Sequence, residues 1–169
     1  ANKAKSRLFW TLAAGLVCGC GVWSTHFIGM LAYSPGVPIT FDFTMTMVSF
    51  AVAVVMMTAG FVAAIYGERT WSSLVGGVIV GIAISVMHRP GIVALRMSAD
   101  IVWMPDLLVL SAVCGIVFST LSLFTVRQGT AITHSGIAAA LLATATLSDH
   151  IIAVSAIGLI PDINTVSDE

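Results

Sequence analysis

Five long apolar runs dominate this sequence, and each is long enough to cross a bilayer as a helix, which takes about 20 residues. Charged residues make up only 9% of the chain, against about 25% in an average soluble domain. The runs lack the two-residue alternation of barrel strands. The sequence therefore predicts an all-α polytopic membrane bundle with five spans, at roughly residues 8–33, 42–66, 71–98, 105–126 and 131–160.

Short polar connections separate the five runs, so neighbouring helices are expected to be antiparallel. We place these connections at residues 34–40, 67–70, 98–106 and 127–130. Most Lys and Arg residues then share one side, and the positive-inside rule makes the N-terminus cytoplasmic. The basic residues on that side are Lys3, Lys5, Arg7, Arg69 and Arg127.

One histidine recurs at a fixed interval, because His26, His88 and His150 stand 62 residues apart. The repeating unit is a helix hairpin, present two and a half times, and each histidine falls in the outer half of an upward helix. Repeats of this kind pack about a pseudo-symmetry axis, which would bring the three positions together. An ionisable side chain inside an apolar span is by default a functional-site hypothesis.

The sequence around these histidines resembles the MHYT domain, a bacterial integral membrane sensor module. Residues 23–32, Trp-Ser-Thr-His-Phe-Ile-Gly-Met-Leu-Ala, follow the family pattern except that Thr25 stands where Met is usual. The second copy, residues 87–92, keeps Met, His and Gly but replaces Tyr-Thr with Arg-Pro. The third copy keeps His150 securely.

This resemblance implies a function as well as a fold. Residues 1–169 would form a single sensor domain in the bacterial inner membrane, lacking the first and last of the family's seven spans. The family's proposed role is to detect a diatomic gas or the redox state through a bound metal, with copper foremost. It also implies a cytoplasmic signalling output domain in the full-length protein.

Candidate ligands follow from the chemistry of the repeated motif. Imidazole binds copper, iron, zinc and nickel, and thioether sulfur selects Cu(I). His26 and Met30 are four residues apart and share a helix face. Our predicted metal ligands are His26, Met30, Met87, His88 and His150. Ser24, Arg89 and Asp149 are predicted around them, with an ion pair between Arg89 and Asp149, and haem is the alternative cofactor.

Two other classes of function remain open at this point. The histidines, Asp149 and Arg89 could line a proton or metal-ion path, or the chain could be a degenerate, metal-free bundle for membrane assembly or anchoring. A homo-oligomer is a possible partner arrangement under each of these functions. A net charge of -1 without a basic run excludes a nucleic-acid footprint. The sequence has no phosphate loop, nucleophile elbow or paired carboxylates, so no enzymatic activity is predicted.

Overall fold

Five membrane-length helices form the chain in the computed structural model, which describes residues 2–32, 40–67, 71–96, 99–129 and 131–161. All five are long and apolar enough to cross a membrane, which confirms the predicted all-α bundle. The connection at 34–39, residues 68–70 and the acidic tail at 162–169 lie outside the described residues. The helices are α1 (Asn2–Ala32), α2 (Phe43–Tyr66), α3 (Trp71–Val93), α4 (Pro105–Gln128) and α5 (Ile132–Ser155).

Four short strands at one end of the bundle were not predicted. They are β1 (Thr40–Phe41), β2 (Leu95–Arg96), β3 (Ala99–Trp103) and β4 (Ile157–Pro161). As a result α3 and α5 end at Val93 and Ser155, before the limits at 98 and 160 that the apolar runs suggested. The apolar character continues past both helix ends because strand residues such as Leu95 and Ile157 also pack in the core.

The strands obey the same 62-residue repeat as the histidines. In the antiparallel pair β1–β2, Phe41 lies opposite Leu95. In the antiparallel pair β3–β4, Trp103 lies opposite Ile157, and both of these residues stand 62 positions after the first two. The repeating unit therefore includes a helix hairpin and the strand that joins it to the next unit.

Glycines set the close packing of the two complete hairpins. A Cβ atom on Gly15 would overlap Thr58 of α2, and one on Gly77 would overlap Thr120 of α4, at the equivalent repeat positions. Membrane helices use such small residues to bring backbones together. In α5 the equivalent residue is Ala139, which is exposed in a groove between α1 and α5.

Two apolar clusters enclose the level of the histidines. The larger cluster includes Val22 of α1 and Ile84 of α3, four residues before His26 and His88. The smaller one includes Met30 and Ile92, four residues after them. Since one helical turn is 3.6 residues, the histidines lie between the two clusters along the helix axes.

Candidate metal centre

His26, His88 and His150 meet in the centre of the bundle, as the repeat predicted. The ring centroids of His26 and His88 are 4.3 Å apart, those of His88 and His150 are 5.1 Å apart, and those of His26 and His150 are 5.4 Å apart. Each imidazole offers one nitrogen, and these three atoms lie within 4.8 Å of one another. We refer to these three residues as the histidine ring.

Glycines three positions after His26 and His88 lie against a neighbouring imidazole. A Cβ atom on Gly29 would overlap Nε2 of His150, and one on Gly91 would overlap Nε2 of His26. The third such position is the buried Ala153. The imidazoles therefore approach the helix backbones closely, which restricts how each ring can turn.

Several nitrogens of the histidine ring are buried without a hydrogen-bond partner in the described part of the chain. They are Nδ1 and Nε2 of His26, Nε2 of His88 and Nδ1 of His150. Buried polar atoms of folded proteins are nearly always paired with protein or solvent. Unpaired imidazole nitrogens brought close together are the donor set that Cu, Zn and Fe ions accept, so these residues fit a bound metal ion.

A buried carboxylate adjoins the histidine ring. Asp149 is 0% exposed, and its Oδ1 accepts a hydrogen bond of 2.6 Å from Oγ of Ser85. Its Oδ2 lies 3.9 Å from Nδ1 of His88, which is an ion-pair distance but too long for a hydrogen bond. The carboxylate thus lies against the edge of His88, away from that residue's unpaired Nε2.

The predicted ion pair between Arg89 and Asp149 is wrong. Arg89 is exposed, and within the described residues the ion-pair contact of Asp149 is with His88. The physical reason is desolvation: Ser85 hydrogen-bonds the buried carboxylate, and an exposed Arg89 avoids the cost of burying its guanidinium in an apolar span.

The remaining predicted residues lie around the histidine ring at different depths. Met30 is fully buried in the smaller cluster, beside Ile92. Met87 is also fully buried, but it packs in the larger cluster with Ile84. Ser24 is only partly buried. Ligation by the two thioethers therefore stays a prediction.

A charged pair joins β2 to the start of α2. Asp42 caps α2 by accepting a 2.9 Å hydrogen bond from the backbone N–H of Met45, and Arg96 of β2 donates to its other oxygen. The Met45 hydrogen bond, followed by the Arg96 guanidinium, lowers the pKa of Asp42. Asp42 lies before the first residue of the span, so this pair acts at the bundle's rim.

Sequence reasoning missed the contacts of Gly29, Gly91 and Ser85 with the site. The signal for the two glycines was available, because both stand three residues after a repeated histidine. Ser85 carried no such signal, since the equivalent residue in the first copy is Trp23. Only the packing of α3 against α5 shows that Ser85 reaches Asp149.

Comparisons with known proteins agree with this architecture. The profile of the family MHYT, described as a bacterial signalling protein N-terminal repeat, matches residues 19–77 and 81–139. No solved structure matches the chain.

Three bacterial signalling proteins are among the similar sequences. A signalling protein of Caulobacter vibrioides is 32% identical over 96% of this chain. The bifunctional diguanylate cyclase/cyclic di-GMP phosphodiesterase MucR of Pseudomonas aeruginosa is 33% identical over 75% of it, and signalling protein YkoW of Bacillus subtilis is 30% identical over 72%. The chain spans 20%, 19% and 15% of these proteins respectively.

Proposed function

This chain belongs to the MHYT family of bacterial signalling-protein repeats, and we propose that it senses its signal through a metal ion held by the histidine ring. Family membership confirms the prediction of a non-enzymatic sensor module in a multi-pass membrane protein. The metal, the signal and the coupling to an output are the proposed parts.

The observation that supports a metal is the set of unpaired nitrogens on His26, His88 and His150. The three offered nitrogens lie within 4.8 Å of one another, so they surround a space that suits a single ion. Three neutral imidazoles in an apolar bundle suit a borderline or soft ion. Copper fits best, because the thioether of Met30 lies one helical turn from His26.

A single ion suits this site better than haem. The backbones at Gly29 and Gly91 already contact the imidazoles of His150 and His26, and apolar clusters lie on both sides of the histidine ring. A porphyrin would have to displace these contacts. A bound copper ion would supply one of two kinds of chemistry: it would bind the signal molecule as a ligand, or it would change its oxidation state.

Signal transfer follows from where the histidines lie in the fold. Each sits on a different helix, so a change at the histidine ring alters the packing of α1, α3 and α5 together. A sensor works by favouring one of two such packings. In the full-length protein this would bias a cytoplasmic output domain, and the name of the relative MucR points to cyclic di-GMP enzymes as the class. The proposed location is the bacterial inner membrane, with the N-terminus in the cytoplasm.

Metal content tests this function directly. We would load detergent-purified protein with Cu(I) under reducing conditions and measure copper per chain by mass spectrometry. We expect one ion in the wild type and none above background in the triple variant His26→Ala, His88→Ala, His150→Ala. His134→Ala is the matched control, because His134 lies at the start of α5 and is not in the histidine ring. Equal, trace copper in all three proteins would contradict the proposal.

A further inference from the structure

A cavity of about 380 Å³ lies between α3, α4 and α5 and reaches the histidine ring. Its apolar walls are interrupted by a few polar groups, and His88 and Asp149 both line it. Ser85 and Ser111 also contribute, and the exposed Arg89 is part of the lining. The cavity is therefore a largely apolar recess that carries a few polar groups and reaches a proposed metal ligand.

Comparison of the repeat copies explains why this space is open. In the first copy three aromatic residues fill the equivalent region: Trp23 packs on Phe27 with centroids 4.7 Å apart and on Phe50 at 5.3 Å. Sixty-two positions later stand the cavity-lining residues Ser85, Arg89 and Ala112. The second copy thus replaces three large aromatic side chains with two small residues and one that is exposed.

Asp149 breaks the repeat in a second way. The equivalent residues in the other copies are Thr25 and Met87, neither of which is ionisable in this setting. The Oδ2 atom of Asp149 is buried without a hydrogen-bond partner in the described part of the chain. A buried, unpaired carboxylate is costly in an apolar interior unless a cation compensates it.

Permanent cations do not compensate Asp149 within the described residues, because Arg89 is exposed and the contact at 3.9 Å is an imidazole nitrogen. The histidine ring is also enclosed along its axis by the two apolar clusters. The cavity provides a lateral approach to His88 from between α3, α4 and α5, past Ile92 of the smaller cluster.

We propose that the cavity is the route by which a cation reaches the histidine ring, and that Asp149 is its counter-ion. This inference rests on the proposed metal-binding function. Three neutral imidazoles bring no charge, so the single carboxylate balances one positive charge of the ion. Asp149 lies on the Nδ1 side of His88, which leaves the unpaired Nε2 of that ring available to a cation.

The counter-ion role predicts a charge-dependent effect of Asp149→Asn. Loss of a partner outside the metal's ligand set typically weakens metal binding by about 10–100-fold, and we expect a loss in this range for Cu(I). A negative charge stabilises a divalent ion more than a monovalent one, so the Cu(II) affinity should fall further. Each additional tenfold loss for Cu(II) raises the Cu(II)/Cu(I) potential by about 59 mV.

Two further variants make this test decisive. Asp149→Thr installs the residue of the first copy and serves as a second neutral variant if Asp149→Asn folds poorly. Asp106→Asn removes the same charge from an exposed position at the start of α4 and should leave affinity and potential as in the wild type. A purely structural role of Asp149 would weaken both oxidation states equally and leave the potential unchanged.

The entry route predicts a kinetic effect at Ala112. Ala112→Phe restores the aromatic residue of the first copy and narrows the cavity, so loading and release of Cu(I) should slow by the same factor. Arg89→Gln should speed loading at low salt, because the Arg89 charge repels an approaching cation. Rates would be measured by stopped flow with a chromogenic Cu(I) chelator.

The outcomes separate this inference from the function on which it rests. If the wild type binds no copper, both are overturned. If the wild type binds copper and the neutral Asp149 variants keep its affinity and potential, the counter-ion role is wrong while the metal site stands. Unchanged rates in Ala112→Phe and Arg89→Gln would overturn the entry route alone.

Discussion

Gly91 of α3 lies directly against the imidazole of His26 on α1, so closely that a Cβ atom on Gly91 would overlap Nε2 of that ring. The same relationship holds between Gly29 and His150. His26 and His150 are therefore each held by the backbone of a neighbouring helix as well as by their own helix. This contact links the positions of α1, α3 and α5 to the geometry of the histidine ring.

Gly91→Ala should destabilise the bundle and distort the histidine ring. The new Cβ must displace a buried imidazole, and overpacking of this kind costs about 1–3 kcal/mol. We would measure the free energy of unfolding in detergent together with copper content. Gly21→Ala is the matched control, because a Cβ there meets nothing within 4 Å, and Gly→Ala in a helix interior gains about 0.5–1 kcal/mol. Equal stability of both variants would contradict the contact.

Gly77 of α3 and Ala139 of α5 occupy the same repeat position, but only Ala139 should tolerate replacement by a large residue. Gly77→Leu would push a side chain into the backbone of Thr120 and should cost at least about 1–3 kcal/mol. Ala139→Leu places it in the open groove beside α1, where a surface change stays within about 0.5 kcal/mol. Unfolding in detergent measures both. A comparable loss for Ala139→Leu would mean that another helix occupies the groove.

Asp42 should make the bundle sensitive to acid. The Met45 N–H and Arg96 lower the pKa of Asp42 in the folded state. The ionised carboxylate therefore adds to the free energy of unfolding above the ordinary Asp pKa of about 3.9. This stabilisation is lost as the pH falls through the folded-state pKa. The stability difference between wild type and Asp42→Asn should therefore disappear in acid. Asp106→Asn controls for charge, and a difference that persists at low pH would refute the assignment.

The repeat made the centre of this fold predictable from sequence. The 62-residue spacing of His26, His88 and His150 indicated their meeting point, because equal spacing on parallel helices places side chains at equal depth. The spacing could not show the partner of Asp149. Ser85 and Arg89 stand about one turn apart on the same side of α3, so periodicity cannot decide which of them reaches this carboxylate, and only the packing shows that Ser85 does.

The aromatic residues of the first copy should stabilise the bundle, because they fill the region that is a cavity in the second copy. Trp23 packs on Phe27 and Phe50 and donates a 3.0 Å hydrogen bond from Nε1 to Oγ of Ser49. Trp23→Ser reproduces the residue that the second copy carries at Ser85. Trp23 is half-buried, so this change should cost less than the loss of a fully buried Trp, which is about 3–5 kcal/mol, and more than a surface change of about 0.5 kcal/mol.

Trp71→Ser is the matched control for this prediction, because Trp71 is 71% exposed at the start of α3. The same substitution there should change the free energy of unfolding by no more than about 0.5 kcal/mol. Trp23→Ser should also open a second lateral approach to the histidine ring and speed copper loading. If Trp23→Ser were as stable as Trp71→Ser, aromatic packing in the first copy would not stabilise the bundle. If it loaded copper at the wild-type rate, this packing would not close that side of the site.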